Sequence, residues 1–274
     1  MLRLGDDLGA TRKRFSRDGT DLSVLDWGGS GRSVVLLHGL AGHAGEWVDT
    51  VRHRTEGARV VAFDARGHGC STRSPIDVSM EALADDVTFL IGRLELEEVI
   101  LVGQSLGGQV ALSVAAGSHV LVSGLVMVEA GPDRGGGDTV EEAIGYLAGW
   151  PVPFESREAA EEYFGGPSLR ACRWADGLEE RSDGLWPRFE IEVMRRMLTE
   201  AAETEHWDEW ESLRVPALVV TAEDGSVPAE ERARMRATGG AAFVEIPGAG
   251  HDVHLDAVTD FSRSLRDFLE RVSR

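Results

Sequence analysis

Short, uninterrupted apolar runs alternate with stretches of helical periodicity along most of this chain. Ser33–Leu37, Arg59–Phe63, Val99–Val102, Ser123–Val128, Pro216–Thr221 and Ala242–Ile246 read as strands, most of them continuous apolar runs buried on both faces. Between them, Ser79–Leu94 sets Leu83, Val87, Leu90 and Leu94 on one helical face. Gln109–Ala116 is a helical run of mostly small residues, Ala229–Ala237 predicts another helix, and Asp256–Val272 is amphipathic. A shorter helix begins near Gly45 and carries Trp47 and Val51. Ahead of these, Arg12–Arg17 and Thr20–Trp27 predict two short strands around the turn Asp18-Gly19, followed by a Gly28–Gly31 loop. This alternation predicts the α/β class, a mostly parallel central sheet with helices on both faces.

The rhythm breaks between Asp133 and Leu213. That stretch has no strand of parallel-sheet type and is rich in Glu, Arg and Trp. Gly135-Gly136-Gly137, Pro151, Pro153, Gly165-Gly166-Pro167 and Asp183-Gly184 punctuate it. It predicts a helical cap over 133–213, inserted into a core made of 1–132 and 214–274.

With 274 residues, 42% of them hydrophobic, the chain is long enough for one large α/β domain with such an insertion. No apolar run reaches the length needed to span a bilayer, and the charged start from Met1 to Arg14 lacks a signal-peptide hydrophobic region. The two cysteines, Cys70 and Cys172, are far apart and have no metal-type spacing. These features predict a cytoplasmic protein without a disulfide framework. A formal charge of −19 argues against nucleic acid and anionic membranes as partners, since both reward a basic patch.

The chemistry concentrates where the third of the buried strands ends. Gly103-Gln104-Ser105-Leu106-Gly107 is G-x-S-x-G in the setting its chemistry needs, strand, sharp turn, then helix. A serine there sits in strained backbone with its hydroxyl lifted clear of the sheet. A Cβ on the flanking glycines would collide with neighbouring chain. The following helix directs its positive end at charge developing beside Ser105. Acyl transfer by serine also needs a base, an acid that orients it, and donors for the oxyanion. Of eight histidines, His251 in Gly248-Ala249-Gly250-His251 is the base candidate, because it follows both serine and acid candidates in the chain. His38, His68 and His254 suit structural hydrogen bonding, whereas His53, His119 and His206 read as surface residues. The oxyanion donors expected from position are the backbone N–H groups of Leu40 and Leu106.

His38-Gly39, Asp64-x-Arg66-Gly67-His68-Gly69-x-Ser71, Gly103-x-Ser105-x-Gly107-Gly108 and Gly250-His251 together resemble the α/β-hydrolase superfamily, in its lid-bearing esterase, lactonase and C–C hydrolase branch. The resemblance covers nearly the whole chain in order and sets the insertion where that family carries its cap. It departs at the acid. The family usually places an aspartate after the strand written here as Pro216–Thr221. Asp224 keeps the spacing to Pro228 but arrives about one residue early from the strand. Glu129, closing the preceding strand, occupies a position that some members use instead. Both remain candidates.

Five of the seven tryptophans lie in the insertion or at its exit. Trp150, Phe154, Trp174 and Trp186 are candidates for lining an apolar pocket, together with His43, Trp47 and Gln104 from the core, whereas Trp207 and Trp210 suit pinning the cap. The expected ligand is a small hydrophobic ester or lactone, with no cofactor and no metal. The same machinery also suits C–C hydrolysis, perhydrolysis, or a biosynthetic thioesterase or cyclase. A binding module that has lost catalysis is the reading from another class. Epoxide hydrolysis and dehalogenation are disfavoured, since both call for a carboxylate at the elbow.

Overall fold

The computed structural model describes residues 9–53, 57–117, 122–133 and 137–272. The polar start through Leu8, His119, and Gly135 and Gly136 of the glycine run lie outside the described residues. Ten strands are present among those described: β1 Thr11–Arg17, β2 Thr20–Asp26, β3 Ser33–Leu37, β4 Arg59–Asp64, β5 Val99–Gln104, β6 Val122–Val128, β7 Leu178–Arg181, β8 Gly184–Pro187, β9 Ala217–Ala222 and β10 Ala242–Ile246. Eight of them form one sheet in the order β1-β2-β4-β3-β5-β6-β9-β10. β1 and β2 pair antiparallel and β2 joins β4 antiparallel; every pairing from β4 to β10 is parallel.

The central strands β3, β5, β6 and β9 are mostly apolar because successive side chains enter different cores. Val99 and Leu101 of β5 pack on one face with Leu83, Val87 and Leu90 of the helix Met80–Arg93. Ile100 and Val102 pack on the other with Trp47, Phe261 and Phe268. Both faces of the centre are therefore dry, and the carboxyl ends of β3, β5, β6 and β9 meet at one rim of the sheet, the usual place for a site in such folds.

Between β6 and β9 the chain leaves the sheet. It forms the helices Gly137–Ala148, Arg157–Tyr163, Leu169–Asp176, Ile191–Glu203 and Trp207–Ser212, with the antiparallel hairpin β7–β8 among them. Ser156 and Ser168 accept from Ala159 and Ala171 amides and so cap two of these helices. Trp150 is buried against Phe164, Trp174 and Phe189, with ring centroids 4.8, 5.6 and 5.4 Å away. This aromatic cluster lies within the insertion and is continuous with the core on one face of the sheet. The expected helix near Gly45 is a 3-10 turn, Ala44–Trp47, running into the short helix Val48–Arg52. His206 corrects the surface reading. It is buried at the start of the helix Trp207–Ser212, where its amide donates to the Pro132 carbonyl at 2.7 Å and its ring meets Ser113 Oγ at 3.2 Å.

Candidate active site

After β5 the backbone turns at Ser105, with φ 51° and ψ −120°, into the helix Leu106–Ala116. Side chains rarely occupy that region, which costs about 1–3 kcal/mol and persists only where neighbours enforce it. The Ser105 amide donates to the Val128 carbonyl at 2.9 Å, and the Gly108 amide to the Ser105 carbonyl at 2.8 Å. A Cβ on Gly103 would strike the Gly107 carbonyl, and one on Gly107 would stand 2.5 Å from the His38 carbonyl. Strand, helix and the β3 loop can close on one another only through glycine. Leu106 opens the helix, so its amide is one of the four that an α-helix leaves without an internal partner.

Two buried imidazoles hold the β3 loop above this corner. His38 Nε2 accepts from the Ala65 amide at 3.0 Å, which assigns the proton to Nδ1 for donation to the Gly39 carbonyl at 2.7 Å. His68 Nε2 accepts from the Ala41 amide at 3.0 Å, and its Nδ1 faces the Arg66 carbonyl at 3.0 Å. Burial lowers the pKa of both below the ordinary histidine value, that of His68 to about 3, so both remain neutral acceptors. The rest of the Asp64–Ser71 motif is scaffold. Asp64 accepts from the Ala44 and Cys70 amides, and Arg66 grips Asp86 through two nitrogens at 2.6 and 2.7 Å.

Glu129 leaves β6 with φ 48°, its amide donating to the Val220 carbonyl at 2.9 Å. Its carboxylate is fully buried. Oε1 accepts from the Ala222 amide and Oε2 from the Ser226 amide, each at 2.7 Å. A Cβ on Gly225 would collide with this carboxylate, so the loop after β9 wraps it through a glycine. His251 Nδ1 stands 3.6 Å from Glu129 Oε2, and Ser226 Oγ lies beside the pair, 2.9 Å from Nδ1 and 3.3 Å from Oε2. Burial acts to raise the Glu129 pKa, but the neighbouring imidazole and the two amides outweigh it and hold the group below the ordinary carboxylate value. For His251, burial acts to lower the pKa; Glu129, Asp252 and Asp256 outweigh that and raise it.

A cavity of about 290 Å³ opens at Ser105. Leu40, Leu106, Glu129 and Ser226 share its core wall, and Val140, Leu198 and Ala202 of the insertion face them. Glu231 also lines it, with Oε1 accepting from the Asp133 amide at 2.8 Å. Among the described residues, the lining contains no Lys or Arg. Among the described residues, no three His, Cys, Asp or Glu are placed to share a metal ion.

Of the residues singled out from sequence, the structure brings Ser105, Leu40, Leu106 and Glu129 to this cavity, with His251 beside Glu129. Asp224 is exposed two residues beyond β9, and among the described residues no ion pair joins it to His251. None of the seven pocket candidates is among the residues that line this cavity. Trp47 is fully buried in the opposite core, stacked on His254 at 4.3 Å. His43 is buried at the junction with the insertion, its Nε2 meeting the Arg173 carbonyl at 2.9 Å. Trp150 and Phe154 fill the aromatic cluster. Trp186 lies on the β7–β8 hairpin, where its Nε1 donates to Asp183. Two of the seven act on the His251 loop instead: Gln104 Nε2 donates to the His251 carbonyl at 3.1 Å, and Trp174 Nε1 donates to Asp252 at 3.0 Å. Ser226 escaped the sequence reading because a lone serine in a loop has no motif; the signal available was its place between Asp224 and Pro228.

A model of the alpha/beta hydrolase family matches residues 34–263. The chain belongs to that family. It is 30% identical over 267 residues to the sn-1-specific diacylglycerol lipase ABHD11 of Xenopus tropicalis, covering 91% of this chain and 82% of the relative. Among solved structures it resembles an E-2-(acetamidomethylene)succinate hydrolase, with a TM-score of 0.86, 23% identity, and coverage of 95% of this chain and 99% of that one. It likewise resembles the enol-lactonase of Burkholderia xenovorans LB400, with a TM-score of 0.76, 22% identity, and coverage of 94% and 100%. These likenesses make the chain a hydrolase of the alpha/beta hydrolase superfamily.

Proposed function

We propose that the chain hydrolyses small, neutral carboxylic esters or lactones through an acyl-enzyme on Ser105, beneath a cap formed by the insertion. The observation that carries this reading is the shared cavity, in which the strained Ser105, Leu106 at the helix start, the Leu40 loop and the buried Glu129 meet. Ser105 attacks the acyl carbon while His251 takes its proton, and the Leu40 and Leu106 amides receive the oxyanion. His251 then protonates the departing alcohol, and water follows the same path in reverse to release the acid. Glu129 serves as the acid, because its carboxylate is ionised and faces the imidazole, whereas Asp224 is exposed.

The substrate class follows from the walls. Val140, Leu198 and Ala202 suit an apolar acyl chain. Glu129 and Glu231, with no basic residue among the described lining residues, disfavour a substrate carrying carboxylates. A succinate derivative, as in the name of the structurally similar hydrolase, is therefore disfavoured here. The test is a panel of p-nitrophenyl esters: short neutral acyl chains turn over, hemisuccinates do so far more slowly, and Ser105→Ala lowers kcat by at least ~10³-fold. Faster turnover of hemisuccinates, or an active Ser105→Ala protein, would contradict the reading.

A further inference from the structure

The separation between Glu129 and His251 gives Ser226 a task. At 3.6 Å from Oε2, the His251 Nδ1 lies beyond hydrogen-bonding reach of the carboxylate, which already accepts two backbone amides. The Ser226 hydroxyl is 2.9 Å from Nδ1 and 3.3 Å from Oε2. A hydroxyl can accept one hydrogen bond and donate another at once. We infer that Ser226 is a positioning residue that accepts from His251 Nδ1–H, donates to Glu129 Oε2, and so carries the acid's hold on the imidazole across the gap.

This goes beyond the proposed reaction and rests on it. With Nδ1 holding its proton against Ser226, Nε2 is left unprotonated, the tautomer needed to take the proton from Ser105. When the imidazolium forms, the hydroxyl stays within bonding distance of both groups, and no proton need leave Nδ1. Gly225 lets the chain wrap the carboxylate, and the Ser226 amide anchors the hydroxyl's own residue on that same Oε2. The loop where the resemblance expects an acid thus acts here as a collar for an acid supplied by β6. The charged groups facing His251 are Glu129, Asp252 and Asp256, and Asp252 is in turn bonded by Trp174. Substitution at Ser226 leaves all three in place.

The experiment compares Ser226→Ala, Ser226→Gly and Ser226→Thr by kcat/KM against pH on a neutral p-nitrophenyl ester, with thermal midpoints to check folding. Loss of the hydroxyl is expected to lower kcat/KM roughly 10- to 100-fold, mostly in kcat. It should also move the acid limb of the profile to lower pH, because the imidazolium loses a bonded neighbour. Ser226→Thr, which keeps the hydroxyl, is expected to stay within about threefold of the parent, since the bond it supplies is intact. A folded Ser226→Ala or Ser226→Gly protein with the parental profile would overturn the inference, as would equal loss in Ser226→Thr with the acid limb unmoved. If the parent protein hydrolyses no ester at all, the proposed function fails and not Ser226 alone.

Discussion

Glu129 and Asp224 differ in what surrounds a carboxylate, and that difference sets what each can do. Glu129 is buried, holds two amides and faces an imidazole, whereas Asp224 is exposed. Glu129→Ala is expected to lower kcat about 10³-fold or more, while Asp224→Ala keeps turnover within about threefold, read as initial rates on one ester. The raised His251 pKa places the acid limb of kcat/KM above the pH where a free histidine would titrate. Ser105 and His251 could be named as candidates because a motif and a chain order announce them. The choice of acid proposed here could not be made from sequence, because a one-residue slip beside a strand can be absorbed by a loop, and only the backbone shows β9 running to Ala222 before the loop turns back on Glu129.

At the scale of elements, the elbow depends on atoms that are missing. Gly107→Ala would bring a methyl to 2.5 Å from the His38 carbonyl, so strand β3 and the helix Leu106–Ala116 must part. A loss of about 1–3 kcal/mol is expected, seen as a Tm lowered by several degrees, together with loss of ester turnover. The strands and long helices were readable from their periods, since burial on both faces demands continuous apolar runs. The β7–β8 hairpin was not, because four-residue strands are too short for an alternating pattern to stand out. The aromatic residues misled for a related reason. Periodicity says that Trp47 and Trp150 are inside, but not which interior they enter, the core under the sheet, the insertion's own cluster, or the cavity between them.

The molecule as a whole combines a formal charge of −19 with histidines buried in neutral form, and this fixes its response to acid. His38 and His68 have folded pKa values below the unfolded one, so as pH falls through this window the unfolded chain binds protons that the folded one does not. For His68 the window runs from 6.5 down to about 3, and stability falls by about 1.4 kcal/mol per pH unit for each such group. Glu129 and Asp64, held low, contribute stability above the ordinary carboxylate value and lose it as pH falls through their folded values. His251 has the opposite sign: its contribution is full below 6.5 and fades as pH rises through its raised value. Urea midpoints should therefore drop steeply between pH 7 and pH 5. The class of fold was visible in the alternation of strands and helices, but the cavity walls were not, because they join positions far apart in the chain. Among the described residues no helix is long and apolar enough to cross a membrane. The central claim, that the strained serine after β5 is the nucleophile, is tested most directly by the intact mass of the protein after exposure to a fluorophosphonate. The account predicts one adduct per chain, mapped to the peptide carrying Ser105 and absent from Ser105→Ala; a protein that stays unmodified, or is labelled on another residue, would contradict it.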